Sequence, residues 1–310
     1  MALASRTRRS PIAARPATAT IRRPRRVRYD RRAAERYWGE ERPRLGDELR
    51  IVLSAGEPPW VNAAYHTWET TLLERHLRPR RGQYILDVAC GLGRIAAPLA
   101  RTGATVVGVD NALGMVRAAA AKTARAPGSK SRGLPRDAGR AVRPAFAHAF
   151  SGSLPFMDAS FDAVICLGLF EHIPPWLQAN TLREMLRVAR RGGAIYLMLL
   201  NNRSLLLQAG RDNRHRRARQ LPNGYYCGLP DRDAIVATLR DGGARVTLLG
   251  SNAHYAILRH ALHDRSPRPA EARRATRAFA DAARRDLSDP HQEQFGEMYA
   301  DHFFYHIVRR

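Results

Sequence analysis

The stretch Tyr84–Arg94, YILDVACGLGR, decides the fold. Its first half, Tyr84–Val88, is apolar apart from Asp87, which is the pattern of a buried strand. A glycine-containing loop follows and opens a helix. Because Gly91 and Gly93 lack a Cβ, a ligand can approach the main chain closely there. The start of the helix adds free N–H groups and a partial positive charge. The stretch therefore predicts a strand, loop and helix that bind a ligand.

An acidic residue closes the next strand of the sequence. The strand is Thr105–Asp110, and its last residue lies nineteen positions after Gly91. A carboxylate at this place can accept hydrogen bonds from two vicinal ribose hydroxyls, and each charge-assisted bond contributes about 1.5–3 kcal/mol. Strand, loop, helix, strand and terminal acid together predict a nucleoside site.

Two nucleoside ligands fit this pattern. The run Gly91–Ala96 matches G-x-G-x-x-G/A, the fingerprint of a dinucleotide site. Asp87 favours S-adenosylmethionine instead. A dinucleotide carries a pyrophosphate at the loop, and a second negative charge would repel it. A sulfonium amino acid carries an ammonium group and a positive sulfur, both of which a nearby carboxylate suits. We therefore expect S-adenosylmethionine as the cofactor, rather than a nicotinamide dinucleotide for a dehydrogenase.

Four segments together resemble the class I S-adenosylmethionine-dependent methyltransferases: Asp87–Arg94, Val106–Ala119, Leu154–Pro174 and Leu186–Asn201. The most similar subgroup contains the ubiquinone, menaquinone and other small-molecule methyltransferases. The resemblance implies an α/β, Rossmann-like, seven-stranded and mostly parallel sheet with helices on both faces. It also implies the strand order 3-2-1-4-5-7-6 with the last strand antiparallel. The methyl acceptor would be a small metabolite or a lipid or glycan intermediate, and S-adenosylhomocysteine would be released.

Composition shifts divide the chain into regions. Residues 1–32 carry eleven arginines and one acid, which favours a disordered tail over an arm for an anionic partner or a transit peptide. Residues 33–80 are expected to form a helical lid, and residues 81–310 the methyltransferase core. The core contains two insertions relative to the family, a basic loop at 122–143 and a helical segment at 255–298. The helical insertion is expected to cover the acceptor or to form a homodimer contact.

The resemblance also carries over a set of cofactor-binding residues. Relatives usually place an acid shortly before the LPF motif, where it binds the adenine amino group, but residues 150–153 contain no carboxylate. We expect Ser153 or main-chain groups to replace that contact, with Phe150 or Leu154 stacking on the base. This departure leaves open a fold relative that binds the cofactor without turnover. The expected cofactor-binding residues are Asp87, Ala89, Gly91, Gly93, Asp110, Asn111, Met115, Ser153, Leu154 and Leu167.

His172 is the candidate general base. It follows the fourth strand, whose carboxyl end should reach the same crevice as the loop, and an unperturbed imidazole suits proton removal at neutral pH. Alternatively, Glu171 and His172 brace the turn between strand and helix. A base is required only if the acceptor is a hydroxyl or an acidic carbon.

The net charge of +24 raises the possibility of an RNA acceptor. Against that alternative, the sequence has neither an Asp/Asn-Pro-Pro-Tyr box nor a Pro-Cys nucleophile, and the charge is concentrated in tails and loops. Three cysteines without metal or disulfide spacing indicate free thiols in a reducing cytoplasm and no metal site. No apolar run of 18 residues occurs, so no membrane span is expected.

Overall fold

The computed structural model describes residues 29–125, 143–209, 219–220, 223–262, 269–288 and 293–310. Most of the arginine-rich tail and most of the basic loop at 122–143 lie outside these ranges. The predictions made for those two segments therefore stay predictions.

A seven-stranded sheet forms the centre of the described chain, and a separate two-stranded ladder lies beside it. The strands are β1 Tyr84–Val88, β2 Thr105–Asp110, β3 Ala145–His148, β4 Phe161–Cys166, β5 Ala189–Leu200, β6 Arg219–Gln220, β7 Tyr226–Cys227, β8 Arg245–Ser251 and β9 His302–Val308. The large sheet has the order β3-β2-β1-β4-β5-β9-β8, and β6 pairs with β7. Only β9 runs antiparallel to its neighbours in the large sheet. Counted within that sheet, this is the predicted order 3-2-1-4-5-7-6, so the fold class is confirmed.

The central strands consist mainly of apolar residues because both faces of the sheet are covered. In β1 every residue after Tyr84 is buried, and β4 is buried at all but one position. Asp87 is the polar exception in β1, and it pairs in register with Gly108 of β2 and Ile165 of β4. Since β1, β2 and β4 are parallel, their carboxyl ends meet at one edge of the sheet, where ligands bind in folds of this kind.

Helices pack against both faces of the sheet. They are α1 Arg31–Arg36, α2 Glu48–Val52, α3 Pro59–Leu77, α4 Ala96–Ala100, α5 Leu113–Arg125, α6 Pro175–Val188, α7 Leu205–Ala209, α8 Arg232–Asp241, α9 Ala253–Leu262, α10 Pro269–Ser288 and α11 Glu293–Tyr299. One core cluster joins α3, α4, α9 and α10 to one face of the sheet, and another joins α6 and α8 to the opposite face. None of the helices in the described ranges combines the length and apolar character that crossing a membrane requires.

Two element boundaries follow from specific features of the chain. The run 190–193, two arginines followed by two glycines, belongs to β5, which starts at Ala189. The C-terminal segment supplies its partners, because the Gly192 N–H donates to the Arg309 carbonyl at 2.7 Å. In addition, α3 begins at Pro59, directly after Pro58. Proline suits the first turn of a helix, since its missing N–H would have no partner there.

The segment from α1 to α2 crosses the carboxyl edge of the sheet. Between these helices the chain forms a π-helical turn, Tyr37–Glu41, and a 3₁₀ turn, Arg42–Leu45. The buried Arg42 holds the segment together, because its guanidinium donates to three main-chain carbonyls of the following stretch at 2.5–2.7 Å. Gly39 lies so close to Gly114 that a Cβ on Gly114 would stand 2.5 Å from the Gly39 carbonyl oxygen. The segment is thus packed against the start of α5.

Candidate active site

The loop between β1 and α4 adopts a backbone that few residues allow. Ala89, Gly91 and Gly93 have φ angles of +59°, +52° and +71°. Alanine in this left-handed region costs about 1–2 kcal/mol, a cost that the surrounding structure must offset. A Cβ on Gly93 would stand 2.7 Å from the Cζ atom of Phe146, and one on Gly91 would stand 3.0 Å from Val52. The loop is therefore a tight cradle, packed from both sides.

Asp110 is fixed by the main chain of this loop and of the next one. Its Oδ2 accepts from the Gly91 N–H at 2.9 Å, and its Oδ1 accepts from the Ala112 N–H at 2.8 Å. Burial raises the pKa of Asp110, while these backbone hydrogen bonds oppose the rise. Each carboxylate oxygen can accept about two hydrogen bonds, so both retain capacity for a ligand hydroxyl.

Asp87 is buried, and the loss of its contacts with water is only partly compensated by contacts within the protein. It is 3 % exposed, and its Oδ2 has no hydrogen-bond partner among the described residues. Burial raises its pKa to about 7, although the nearby Arg94 works in the opposite direction. A buried polar atom left unpaired costs roughly 1–3 kcal/mol, and more when it carries charge. Such an atom at the floor of a cavity is suited to a cationic ligand group.

One cavity, partly open to solvent, joins both acids. Of the residues expected to bind the cofactor, seven line it: Asp87, Ala89, Gly91, Asp110, Asn111, Met115 and Leu167. Gly93 supports the loop from behind, against Phe146. The shared cavity is the arrangement that a nucleoside with a cationic tail requires.

Two of the three residues expected on the adenine side lie elsewhere. Ser153 is exposed and Leu154 is 5 % exposed inside the core, and neither lines the cavity. The chain turns after β3, with the Ser153 N–H donating to the Phe150 carbonyl at 3.0 Å. The residues directly after the strand, Ala149, Phe150 and Ser151, line the cavity instead. Phe150 is the residue that was expected, as the alternative to Leu154, to stack on the base. Position relative to the end of β3 was the signal that could have found Ala149 and Ser151.

The N-terminal segment contributes residues that the sequence did not single out for the cavity. Tyr29 and Val52 line it, and burial raises the pKa of Tyr29 to about 12. The Tyr29 ring lies 6.3 Å from the ring of Phe150, and the guanidinium of Arg31 lies 4.3 Å above the same Phe150 ring. An aromatic wall thus stands at the side of the cavity remote from Asp87.

A second cavity, larger and also partly open, adjoins the first. The two have five lining residues in common: Val52, Arg94, Leu167, Gly168 and His172. Leu53, Met198, Leu200, Leu206 and Leu207 form the apolar part of its wall, and polar residues such as Asn62, His260 and His302 form the rest. The geometry therefore offers a nucleoside cavity and a larger cavity of mixed character that meet beyond the end of β4.

His172 and Glu171 lie at this junction. The hydroxyl of Tyr225 is hydrogen-bonded to His172 Nδ1, and the ring of Trp38 meets the imidazole edge-on at 5.1 Å between centroids. His172 Nε2 lies 3.7 Å from Glu171 Oε1. Glu171 is 8 % exposed, and burial, assisted by the charge of Glu69, raises its pKa to about 7.

The arginines of the second cavity are already paired with buried acids. Arg94 forms an ion pair with Glu69 at 2.5 Å. Arg259 pairs with Glu57 and with Asp301, each at 2.8 Å. Although burial alone would raise the pKa of Asp301, Arg259 and its other cationic neighbours lower it below its usual range. Within the described ranges, no group of three or more His, Cys, Asp or Glu side chains is arranged to hold a metal ion.

The sequence of this region matches a known family. A family model described as a methyltransferase domain matches residues 86–197. The match covers a little over a third of the chain. It includes most of β1, all of β2 and β4, the glycine loop, and four of the five residues that the two cavities share: Arg94, Leu167, Gly168 and His172.

Curated relatives that match this region are named as methyltransferases of quinone biosynthesis. A ubiquinone biosynthesis O-methyltransferase of Albidiferax ferrireducens is 33% identical over 128 residues, which is 41% of this chain and 44% of that protein. A demethylmenaquinone methyltransferase of Clavibacter sepedonicus is 39% identical over 124 residues, or 40% of this chain and 43% of that protein. The chain thus spans less than half the length of these relatives, and the similarity concerns the domain.

A solved structure extends the comparison of the fold. The magnesium protoporphyrin IX methyltransferase from Synechocystis PCC 6803, solved with bound S-adenosylhomocysteine, superposes with a TM-score of 0.55 at 15% identity. The match covers 91% of this chain and 100% of that one. At this identity the match shows the shared fold alone.

Proposed function

We propose that the chain is an S-adenosylmethionine-dependent methyltransferase that transfers the methyl group by in-line displacement to a small-molecule acceptor. The observation that supports this most is that Asp87 and Asp110 line one cavity, with the glycine loop between them. Residues 86–197 match a methyltransferase domain, and the resemblance to class I methyltransferases implies this cofactor. The ammonium and sulfonium groups of this cofactor are positively charged and its ribose carries hydroxyl donors, so both kinds of group suit the carboxylates of Asp87 and Asp110.

The chain's own residues would hold the cofactor in defined ways. The unpaired Oδ2 of Asp87 would accept from the ammonium group, and Asp110 would accept from the ribose hydroxyls with its remaining lone pairs. Met115, Asn111 and the aromatic wall at Phe150 would enclose the base. When bound, the cofactor supplies an electrophilic methyl group attached to a positive sulfur.

The second cavity would hold the acceptor. Gly168, which has φ +76°, lines both cavities, and a Cβ there would have no neighbour nearer than 3.9 Å. The junction is thus open, so an acceptor could approach the methyl group from the larger cavity. Holding two reactants about 3–3.5 Å apart and in line can provide much of the acceleration for a displacement of this kind.

An RNA-directed methyltransferase is less consistent with the site. The net charge of +24 favours a polyanion, but the arginines of the second cavity are neutralised by buried carboxylates. A phosphate backbone would find little compensation for its charge there. A fold relative that only binds the cofactor would have no need of a second cavity at the junction.

Three further features belong to the proposal. Residues 33–80 would act as a lid, because the segment that ends in α2 places Trp38 and Val52 over the cofactor cavity. A cytoplasmic location would suit three buried free cysteines. A homodimer through residues 255–298 has weaker support, since the apolar residues Phe279 and Ala283 of α10 are already buried in the chain's own core.

Calorimetry with S-adenosylhomocysteine tests the proposal. We expect the wild-type chain to bind it and to show no heat with NADH or NADPH. Asp110→Ala should weaken binding about tenfold or more, because the ribose hydrogen bonds are lost. Asp241→Ala, at an exposed acid on the end of α8, should bind as the wild type does. Tight NADH binding, or equal affinity in the two variants, would contradict the proposal.

A further inference from the structure

We propose that Glu171, rather than His172, takes the proton from a hydroxyl group of an uncharged acceptor in the second cavity, so that the reaction is an O-methylation. The inference rests on the proposed methyltransferase function and adds the acceptor atom, the acceptor class and the base. It also gives His172 a different role from the one that the sequence predicts, namely the positioning of Glu171.

Glu171 is placed where a proton acceptor for the second cavity is needed. It lies in the 3₁₀ turn Phe170–His172, directly after β4 and Gly168. Its side chain lines the second cavity, and its Oε1 is the nearest atom, at 3.9 Å, to the position of a Cβ on Gly168. Gly168 lines both cavities, so this carboxylate oxygen stands at their junction.

The contacts of His172 suit a positioning residue. Its Nδ1 is engaged by the hydroxyl of Tyr225, and its ring is packed against Trp38. When Nδ1 accepts from that hydroxyl, the proton of the neutral imidazole resides on Nε2, which faces Glu171 Oε1 at 3.7 Å. In this tautomer His172 cannot accept a further proton at Nε2, whereas its N–H favours the ionised form of Glu171.

The surroundings of Glu171 tune its basicity. Burial is the main cause that raises its pKa to about 7, and the charge of Glu69 adds to it. A base with a pKa near the working pH combines a useful ionised fraction with a useful driving force for proton transfer. The titratable groups that interact with it come from α3, β4, the same turn and the segment before β7: Tyr65, Glu69, Cys166, His172 and Tyr225.

The charge balance of the cavity defines the acceptor class. Its arginines are held by Glu69, Glu57 and Asp301, so a carboxylate or phosphate on the acceptor would be buried without a counter-ion. The leucine and methionine residues in part of the wall suit an apolar body. The acceptor that fits is therefore a mainly apolar, uncharged molecule with a phenolic or alcoholic hydroxyl near Glu171.

The step balances with the chain's own carboxylate and the sulfonium methyl donor. A bond forms between the acceptor oxygen and the methyl carbon. The carbon–sulfur bond breaks, and its electron pair stays on sulfur, which becomes a neutral thioether. The hydroxyl proton moves to Glu171, which is left as a carboxylic acid and later releases the proton to solvent.

Labelled S-adenosylmethionine and two phenols test the proposal on the full chain. The probes are 2-naphthol, which is weakly acidic, and 4-nitrophenol, which is much more acidic. We expect wild type to form the methyl ether of both. Glu171→Gln should lower 2-naphthol methylation by about a hundredfold or more, the range of general-base effects, and lower 4-nitrophenol methylation far less, because that probe ionises by itself. Glu74→Gln, at an exposed acid on α3, is the matched control and should behave as wild type.

Two further measurements separate the outcomes. Calorimetry should give the same affinity for S-adenosylhomocysteine in Glu171→Gln as in wild type, which shows that the variant is folded. His172→Asn should move the midpoint of the pH–rate profile upward, because Glu171 loses a group that favours its ionised form. Retained 2-naphthol methylation in Glu171→Gln would overturn the proposal. So would an equal loss with both phenols, or cofactor binding in wild type with no ether from either phenol. A failure of wild type to bind S-adenosylhomocysteine would instead refute the methyltransferase function itself.

Discussion

Replacing Asp87 by Asn should stabilise the free protein and weaken cofactor binding at the same time. The carboxyl is 3 % exposed, one of its oxygens is unpaired, and burial raises its pKa from 3.8 to about 7. Between these values the folded chain holds a proton that the unfolded chain has released. Stability from this group is therefore fully present below about pH 4 and is lost as the pH rises through 7.

The size of the effect follows from the pKa change. A rise of about three units, at 1.36 kcal/mol each, corresponds to at most about 4 kcal/mol of destabilisation at pH 8. Asn carries no charge and avoids this cost, so the melting temperature at pH 8 should rise by several degrees. Because the wild-type carboxyl is mostly protonated in the folded chain at pH 5, the difference between the two proteins should shrink there by more than half.

Cofactor binding should change in the opposite direction. A hydrogen bond between a carboxylate and an ammonium group is worth about 1.5–3 kcal/mol, so S-adenosylhomocysteine should bind about 10- to 150-fold more weakly to Asp87→Asn at pH 8. Wild-type affinity should fall as the pH drops below 7, because Asp87 must lose its proton to pair with the ligand. The variant should lack this pH dependence.

Differential scanning fluorimetry from pH 5 to pH 8 and calorimetry measure both effects. Asp162→Asn is a suitable control, since Asp162 accepts from the Tyr84 N–H at 2.7 Å and pairs with Arg190. Losing these contacts should lower the melting temperature, if anything, and leave cofactor affinity unchanged. The reasoning is refuted if Asp87→Asn melts as low as Asp162→Asn and binds S-adenosylhomocysteine as tightly as wild type.

Two other substitutions test the packing around the site by thermal melting. Gly93→Ala should destabilise the chain more than Gly82→Ala, because both have φ above +70° but only the Cβ on Gly93 would clash with Phe146, at 2.7 Å. An equal fall in melting temperature for the two glycine variants would show that Phe146 moves aside at little cost in free energy. Arg259→Met should cost about 3–5 kcal/mol, since its two buried carboxylate partners lose their cation, whereas Arg203→Met breaks only an exposed pair and should cost under about 1 kcal/mol. Comparable melting temperatures for the two arginine variants would contradict this assignment.

Much of the fold could be predicted from the sequence because local and global signals agree there. The strands β1 and β2 have the predicted bounds, since an apolar run in each ends at a turn or at a polar residue. The start of β5 could not be predicted in this way. The arginines and glycines of 190–193 resemble the end of a helix, and only the distant C-terminal segment explains why they extend a strand.

In the candidate site, too, some features could be predicted from the local sequence and others depend on distant segments. Asp87 and Asp110 lie in a motif with fixed spacing, so their common cavity follows from the order of β1 and β2. The adenine side depends on a turn after β3 whose geometry the sequence does not reveal, and the prediction for Ser153 and Leu154 missed the cavity there. Which of Glu171 and His172 can act as the base depends on the contact of His172 with Tyr225, which is 53 positions away in the chain.

A crystal structure of the chain with S-adenosylhomocysteine would test the central claim most directly. The account predicts the ligand in the cavity lined by the glycine loop, with its ammonium group at Asp87 Oδ2 and its ribose hydroxyls at Asp110. The sulfur should then point toward Gly168 and the second cavity. A ligand bound elsewhere, or bound with neither carboxylate in contact, would contradict the account.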